Sequence, residues 1–247
     1  MVDEAVEALG GPRFLAMRDR VEEGRSYAFY RENLSGMSRV KFYFRYLTAP
    51  EPMPPDYVGL RERRAFGKNE DVYILYNEEG AWEVTYRGAK PLPPEILESY
   101  RETLFHNVLY TLRMRLREPG LIFDAAGTDI VDNQPANVVD IIDSHNRSTR
   151  VWFHHLSKLP IRQRWERREE KTRYRVEEIT IFDKYRDVGG GVLWPYVIRR
   201  ERNGERNFEM YADSISINRD LLDDLFTLPA GIKMLPPGGS NIRPGRK

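Results

Sequence analysis

Apolar and polar positions alternate along most of this chain, and a helical stripe is the exception. In "RVKFYFRYL", Arg39 to Leu47, the residues Val40, Phe42, Phe44 and Tyr46 share one face, and Arg39, Lys41, Tyr43 and Arg45 share the other. That period of two predicts a half-buried strand. Similar runs predict strands at about 60–66, 72–76 and 81–87, with a hairpin at Asn77 to Gly80. A second series follows at about 121–131, 136–143, 150–155, 160–167, 173–182, 192–202 and 205–217. The turn-forming stretches "DNQP", "SHNRS", "LSKLP", "GGG" and "RNGE" separate its members. So many strands in sequence order, joined by tight turns, predict a mainly β fold of α+β type built on one large curved antiparallel sheet or barrel.

Helix signals are few. "DEAVEALGG" and "PRFLAMRDR" predict one or two short helices, the first closed by Gly10 and Gly11 and the second opened by Pro12. One longer helix is predicted from Pro93 to the Pro119-Gly120 stop. Its stripe of Leu97, Tyr100, Leu104, Val108, Leu112 and Leu116 is wide enough to require a surface to cover. The organisation expected is one domain over residues 1–235, followed by a flexible basic Pro/Gly tail at 236–247.

Composition narrows the classes of function. With 39 basic and 38 acidic residues the net charge is +1, so no global field draws in nucleic acid or anionic membrane. Cysteine is absent, which excludes disulfides, thiolate metal sites and cysteine nucleophiles. No run approaches the roughly 20 apolar residues of a membrane-spanning helix, so an integral membrane protein of that kind is not expected.

Catalytic candidates are weak. His106 falls in the predicted long helix, His145 in a turn, and His154 and His155 at a strand end, where neighbouring side chains point to opposite faces. "NLSGMS" lacks the first glycine of a nucleophile elbow, and no glycine run matches a phosphate loop. Neither enzymatic activity, a metal nor a cofactor is expected. The charged run "IRQRWERREEKTRYR" reads either as a nucleic-acid patch with Trp165 stacking on a base or as a solvated hairpin of paired charges. Glu166, Glu169 and Glu170 within it favour the hairpin.

Aromatic residues at alternate strand positions are the remaining signal: Trp82, Val84 and Tyr86; Val151 and Phe153; Val192, Trp194, Tyr196 and Ile198. They form either an ordinary core or the lining of a cavity in a curved sheet.

The segment from Phe182 to Ile232 resembles the C-terminal part of the bacterial LolA/LolB-like superfamily of outer-membrane lipoprotein-sorting proteins and their periplasmic relatives. Tyr185-Arg186, Gly191, Pro195, Gly204, Asn218, Leu221, Leu222, Phe226, Pro229 and Gly231 occupy the places of its aromatic-Arg pair, turn glycines, internal strand proline, strand-ending Asn and Phe-x-x-Pro-x-Gly turn. "ALGG", "FYFRYLTAP" and "NEEGAWEV" resemble earlier parts of the same pattern. The resemblance implies an incomplete antiparallel barrel, with helices plugging its concave face and "LLDDLFTLPAGI" packing on the sheet's end.

In function it implies a periplasmic carrier of lipid or lipoprotein acyl chains, with envelope membrane proteins as further partners and an export signal preceding Val2 in the native gene. The expected cavity lining is Phe42, Phe44, Trp82, Val84 and Phe153 with Leu104 and Val108 of the lid helix, and Arg45 takes the family's lid-closing role. A structural or assembly module of the same fold with a filled interior is the alternative. A hydrolase or nucleic-acid protein using His154, His155 and the arginines is a more distant one.

Overall fold

The computed structural model describes residues 1–168 and 173–237; most of the expected tail, and Glu169 and Glu170, lie outside the described residues. Thirteen strands form one antiparallel sheet in the order β6-β5-β4-β3-β2-β1-β13-β12-β11-β10-β9-β8-β7. One half is the meander β1 (Asp19–Tyr30), β2 (Asn33–Tyr46), β3 (Leu60–Phe66), β4 (Val72–Asn77), β5 (Gly80–Thr85) and β6 (Gly88–Pro91). The other runs from β7 (Ile122–Val131) through β8 (Gln134–Ile142), β9 (Ser148–His154), β10 (Pro160–Arg168), β11 (Arg175–Asp187) and β12 (Leu193–Arg202) to β13 (Glu205–Ile217). Strands β6 and β7 remain edges, so the barrel is incomplete.

The halves join where β1 pairs with β13, from Arg20 opposite Ile217 to Ala28 opposite Phe208. A bulge lies between Glu23 and Gly24, where a Cβ on Gly24 would fall 2.1 Å from the Tyr211 carbonyl oxygen. Only glycine fits so close an approach of two backbones.

Helices α1 (Val2–Leu9) and α2 (Pro12–Leu15) cover the inner face of the β8–β13 half. The kink between them brings Gly10, at φ 123°, to within 2.9 Å of Val192 Cα as measured from an added Cβ. The expected second helix is shorter than its sequence suggested, because Asp19 already begins β1. This strand was not legible: Glu22, Gly24 and Ser26 occupy its inward positions, and no apolar alternation marks it.

The expected single long helix is broken. Helix α3 (Pro94–Phe105) ends at His106, α4 (Val108–Tyr110) starts after it, and a π-helical turn (Thr111–Arg115) completes the segment. Asn107 caps the restart, its side chain accepting from the backbone N–H groups of Leu109 and Tyr110. Arg115, 2% exposed, ties the segment down through Glu118 (2.6 and 2.8 Å), Asp143 (2.8 Å) and the Phe105 carbonyl (2.7 Å). Burial works to raise the Asp143 pKa, but hydrogen bonds from Arg115 and Arg147 outweigh it and hold the carboxyl below its ordinary value.

The C-terminal segment packs on the outer face of the β1–β6 half rather than on the sheet's end. A 3₁₀ turn (Asp223–Phe226) buries Phe226 completely among Tyr43, Leu75, Trp82 and Val84. Leu221, Leu225, Leu228 and Ile232 pack around it, and Ala89 bridges to Met234. Asp19 accepts from the Arg219 backbone at the start of this segment, and Asn77 donates to the Phe226 carbonyl.

Candidate functional site on the inner face

Strand register fixes which side chains face inward. Across the β1–β6 half, Phe44 lies opposite Glu62, Glu62 opposite Tyr76, and Tyr76 opposite Ala81. This row and that of Phe42, Arg64 and Ile74 face α3, whose Tyr100, Leu104 and Phe105 complete a core with Val40, Leu60 and Met210. Tyr100 stacks on Tyr76 with centroids 4.0 Å apart. In the other half, Val108, Leu109 and Leu112 pack with α1, α2, Val151, Phe153, Phe182 and Trp194.

The expected lining therefore divides. Phe42, Phe44 and Leu104 share one inner cluster, and Val108 and Phe153 share its neighbour. Trp82 and Val84 belong to the opposite face: Tyr43, Arg63, Leu75 and Trp82 form one cross-strand row, and that row meets Phe226. Both faces of β5 are buried, so its alternation carried no information about direction. Arg45 is likewise on the outer face, paired with Asp223 and 5.5 Å from the Phe226 ring centroid. It holds the C-terminal turn, not α3.

The histidines occupy separate settings. His106 stacks on Trp165 (4.2 Å, 8°) and shares a 2.7 Å hydrogen bond with Thr149. Burial, with Arg147 next in effect, pushes its pKa down to about 3, so the ring is neutral at ordinary pH. His154 bonds Ser157 in the turn after β9, and His145 lies 3.3 Å from Asp56. Among the described residues no group of three His, Asp or Glu side chains could hold a metal. Trp165, 6% exposed, faces inward and fits neither a base platform nor a solvated hairpin. The charges beside it do pair across strands, Arg164 with Glu177 and Arg167 with Glu178, each at 3.3 Å.

A polar band that the motif reading missed crosses this inner face. Arg20 is sandwiched between the Phe44 and Trp194 rings, 3.9 Å from each centroid, and donates to Glu22 at 2.7 Å. Trp194 donates to the same carboxylate at 2.9 Å. Arg64 donates to Glu62, and Glu178 accepts from Arg202 at 2.9 Å. Arg200, opposite Thr180 and Phe208, has no ion pair or hydrogen bond among the described residues. Burial, with Arg64 next in effect, lowers the pKa of its guanidinium. The signal that could have found this band was the polar interruption of apolar rows, Arg200 after Ile198 and Thr180 beside Phe182.

A narrow crevice of about 30 Å³ lies under the start of α3, lined by Val58, Leu60, Tyr76, Leu97, Tyr100 and Arg101 among others. An open groove of about 380 Å³ occupies the outer face at the β1–β2 and β12–β13 turns. There Arg206 and Tyr211 already donate to Glu209, and Arg199 lies 3.6 Å from it. No helix of the described residues is long and apolar enough to cross a membrane.

No protein-family model matches the chain, and no curated protein matches it by sequence. Solved structures do match in fold. A DUF1329 family protein from Desulfovibrio piger is 12% identical with a TM-score of 0.60, over 92% of this chain and 95% of that one. A domain from Vibrio parahaemolyticus assigned to outer-membrane lipoprotein sorting is 10% identical with a TM-score of 0.53, over 92% and 97%. A LolA superfamily protein from Nitrosomonas europaea aligns over 92% and 96% at 11% identity and a TM-score of 0.43. The chain has the LolA-like fold that its C-terminal motifs resemble.

Proposed function

We propose that the protein is a non-catalytic periplasmic carrier that shelters acyl chains of a lipid or lipoprotein between its sheet and α3. The observation that carries this reading is the construction of α3. It lies on apolar Phe42, Phe44, Leu60 and Met210 and is bounded by Pro93 on one side and the His106-Asn107 break on the other. A cover with a break at each end can pivot about its Phe105 end, which Arg115 of the π-helical turn holds. Lifting it would open an apolar face of the kind an acyl chain needs, since each methylene removed from water contributes about 0.8 kcal/mol.

A second reading is favoured by the 30 Å³ crevice, which is far smaller than an acyl chain needs. It makes the chain an envelope assembly module with a permanently filled interior.

The absence of cysteine permits a direct test. Val58 and Leu97 line the same crevice, one on the sheet side and one on α3, and both are changed to Cys. Cross-linking them with a short bismaleimide should abolish binding of an acyl fluorophore that the uncross-linked variant retains. Equal binding before and after would remove α3 as the cover, and no binding by the parent protein would favour the filled module.

A further inference from the structure

The inner polar band is not balanced. Its arginines are Arg20, Arg64, Arg167, Arg200 and Arg202, and the carboxylates paired with them are Glu22, Glu62 and Glu178. Four of the five guanidiniums have a carboxylate partner; Arg200 is the exception. Its nearest aromatic neighbour is Phe208, at 5.4 Å from the ring centroid, and its Nε is buried with no partner. Glu102 of α3 has Arg167 and Arg147 as its charged basic neighbours, not Arg200.

Other groups on the same face also lack a partner, the hydroxyls of Ser26 and Tyr100 among them. Ser26 of β1 is 1% exposed and its hydroxyl makes no hydrogen bond. It lies opposite Met210, which lies opposite Ile198, one inward row from the row of Phe208 and Arg200. A buried guanidinium Nε left without an acceptor is costly, and so is a buried hydroxyl left without a bond. Both costs fall beside the apolar surface that α3 covers, where Met210, Phe208 and Phe42 meet Leu104.

We infer that Arg200 is the docking point for the anionic oxygen head, a carboxylate or phosphate, of an acyl amphiphile whose chain follows Met210 and Phe42 beneath α3. This rests on the carrier reading above and adds what that reading leaves open, the charge of the cargo's head. A guanidinium suits the task because it offers several donors in one plane to two oxygens of the head. The neighbouring Arg64 adds charge of the same sign, and the more distant Glu62, Glu178 and Glu22 offset part of it without pairing with Arg200.

The test compares two dyes on three proteins and then adds three competing anions. Dansyl-undecanoic acid and its methyl ester are titrated into the parent, Arg200→Gln and Arg199→Gln; Arg199 is the adjacent residue on the outer face. The parent should bind the acid at least about tenfold more tightly than the ester, the range expected of charge-assisted hydrogen bonds. In Arg200→Gln the preference should fall to near unity with ester affinity unchanged, while Arg199→Gln keeps it. Because Arg200 has no partner to lose, Arg200→Gln should melt no lower than the parent; a clear fall in melting temperature would mark a structural role and overturn the inference. Equal affinity for acid and ester in the parent would overturn it alone, leaving the carrier reading intact. Failure of both dyes to bind would end both. Laurate should displace the acid dye far better than acetate or inorganic phosphate, and displacement by the small anions at equal concentration would make a free anion the ligand and reject the amphiphile.

Discussion

The two halves of the sheet are both antiparallel meanders, yet they bury different numbers of faces. In the β7–β13 half, α1, α2, α4 and the π-helical turn fill the inner face, and the outer face carries the small cluster of Val131, Ala136, Val138 and Trp152 with no helix over it among the described residues. The β1–β6 half has α3 inside and the C-terminal segment outside. One half is thus a two-layer structure and the other a three-layer one. A strand in the middle layer has no solvent face, and its direction cannot be read from alternation. The contrast also separates tasks, since Phe226 and Arg45 stabilise the outer layer while Phe42 and Phe44 face the cover that the carrier reading requires to move.

That contrast can be broken most severely from outside. Phe226→Ala removes a fully buried ring between β2, β4, β5 and the C-terminal segment and should cost about 3–5 kcal/mol in urea unfolding. Acyl binding measured below the transition should be unaffected, because the inner face is intact. Gly24→Ala attacks the seam between the halves and should cost roughly 1–3 kcal/mol, the range of an overpacked contact. A change under 0.5 kcal/mol would mean that the bulge relaxes freely.

His106 gives a pH test of the inner face near the end of α3. Its folded pKa of about 3 is below its unfolded value near 6.5, so the unfolded chain binds the proton first. The stability due to the neutral ring is complete above pH 6.5 and is lost as pH falls toward 3. His106→Gln should flatten the acid limb of stability by up to ~1.4 kcal/mol per pH unit in that window. The smallest effect belongs to Arg45→Ala, whose Asp223 partner is 72% exposed; it should cost less than about 1 kcal/mol and leave binding unchanged. Loss of acyl binding in this variant would restore Arg45 to the lid.

Much of the fold was legible because most strands keep a period of two between strong turns. The β3 limits of Leu60–Phe66 and the β13 limits of Glu205–Ile217 agree with the expected ones. Strand β1 was hidden because its inward positions are polar or glycine, and the Arg20–Glu22 pair is enclosed only when Phe44 of neighbouring β2 and Trp194 of distant β12 are in place. The long helix was misread as continuous because its apolar stripe persists through the break, and the stripe does not register Asn107 as a cap. Trp82 and Val84 were assigned to the wrong face because the segment that covers them comes some 140 residues later in the chain, as the positions of Trp82 and Phe226 show. Arg200 was passed over because a charged residue in a strand is ordinarily solvated, and its isolation becomes visible only when its neighbours are known.

The pairing of β1 with β13 also constrains the order of events during biosynthesis. Arg20 meets Ile217 in the centre of the sheet, so a nascent chain still lacking its last strand has two incomplete sheets, each with a raw edge at the future seam. Such a chain would hold Arg20 and Glu22 away from Trp194 and leave Phe226 outside the ribosome's reach until synthesis is nearly complete. Contacts of such long range are slow to form. The seam therefore closes only after β13 has been released, and its two raw edges are what a chaperone has longest to hold.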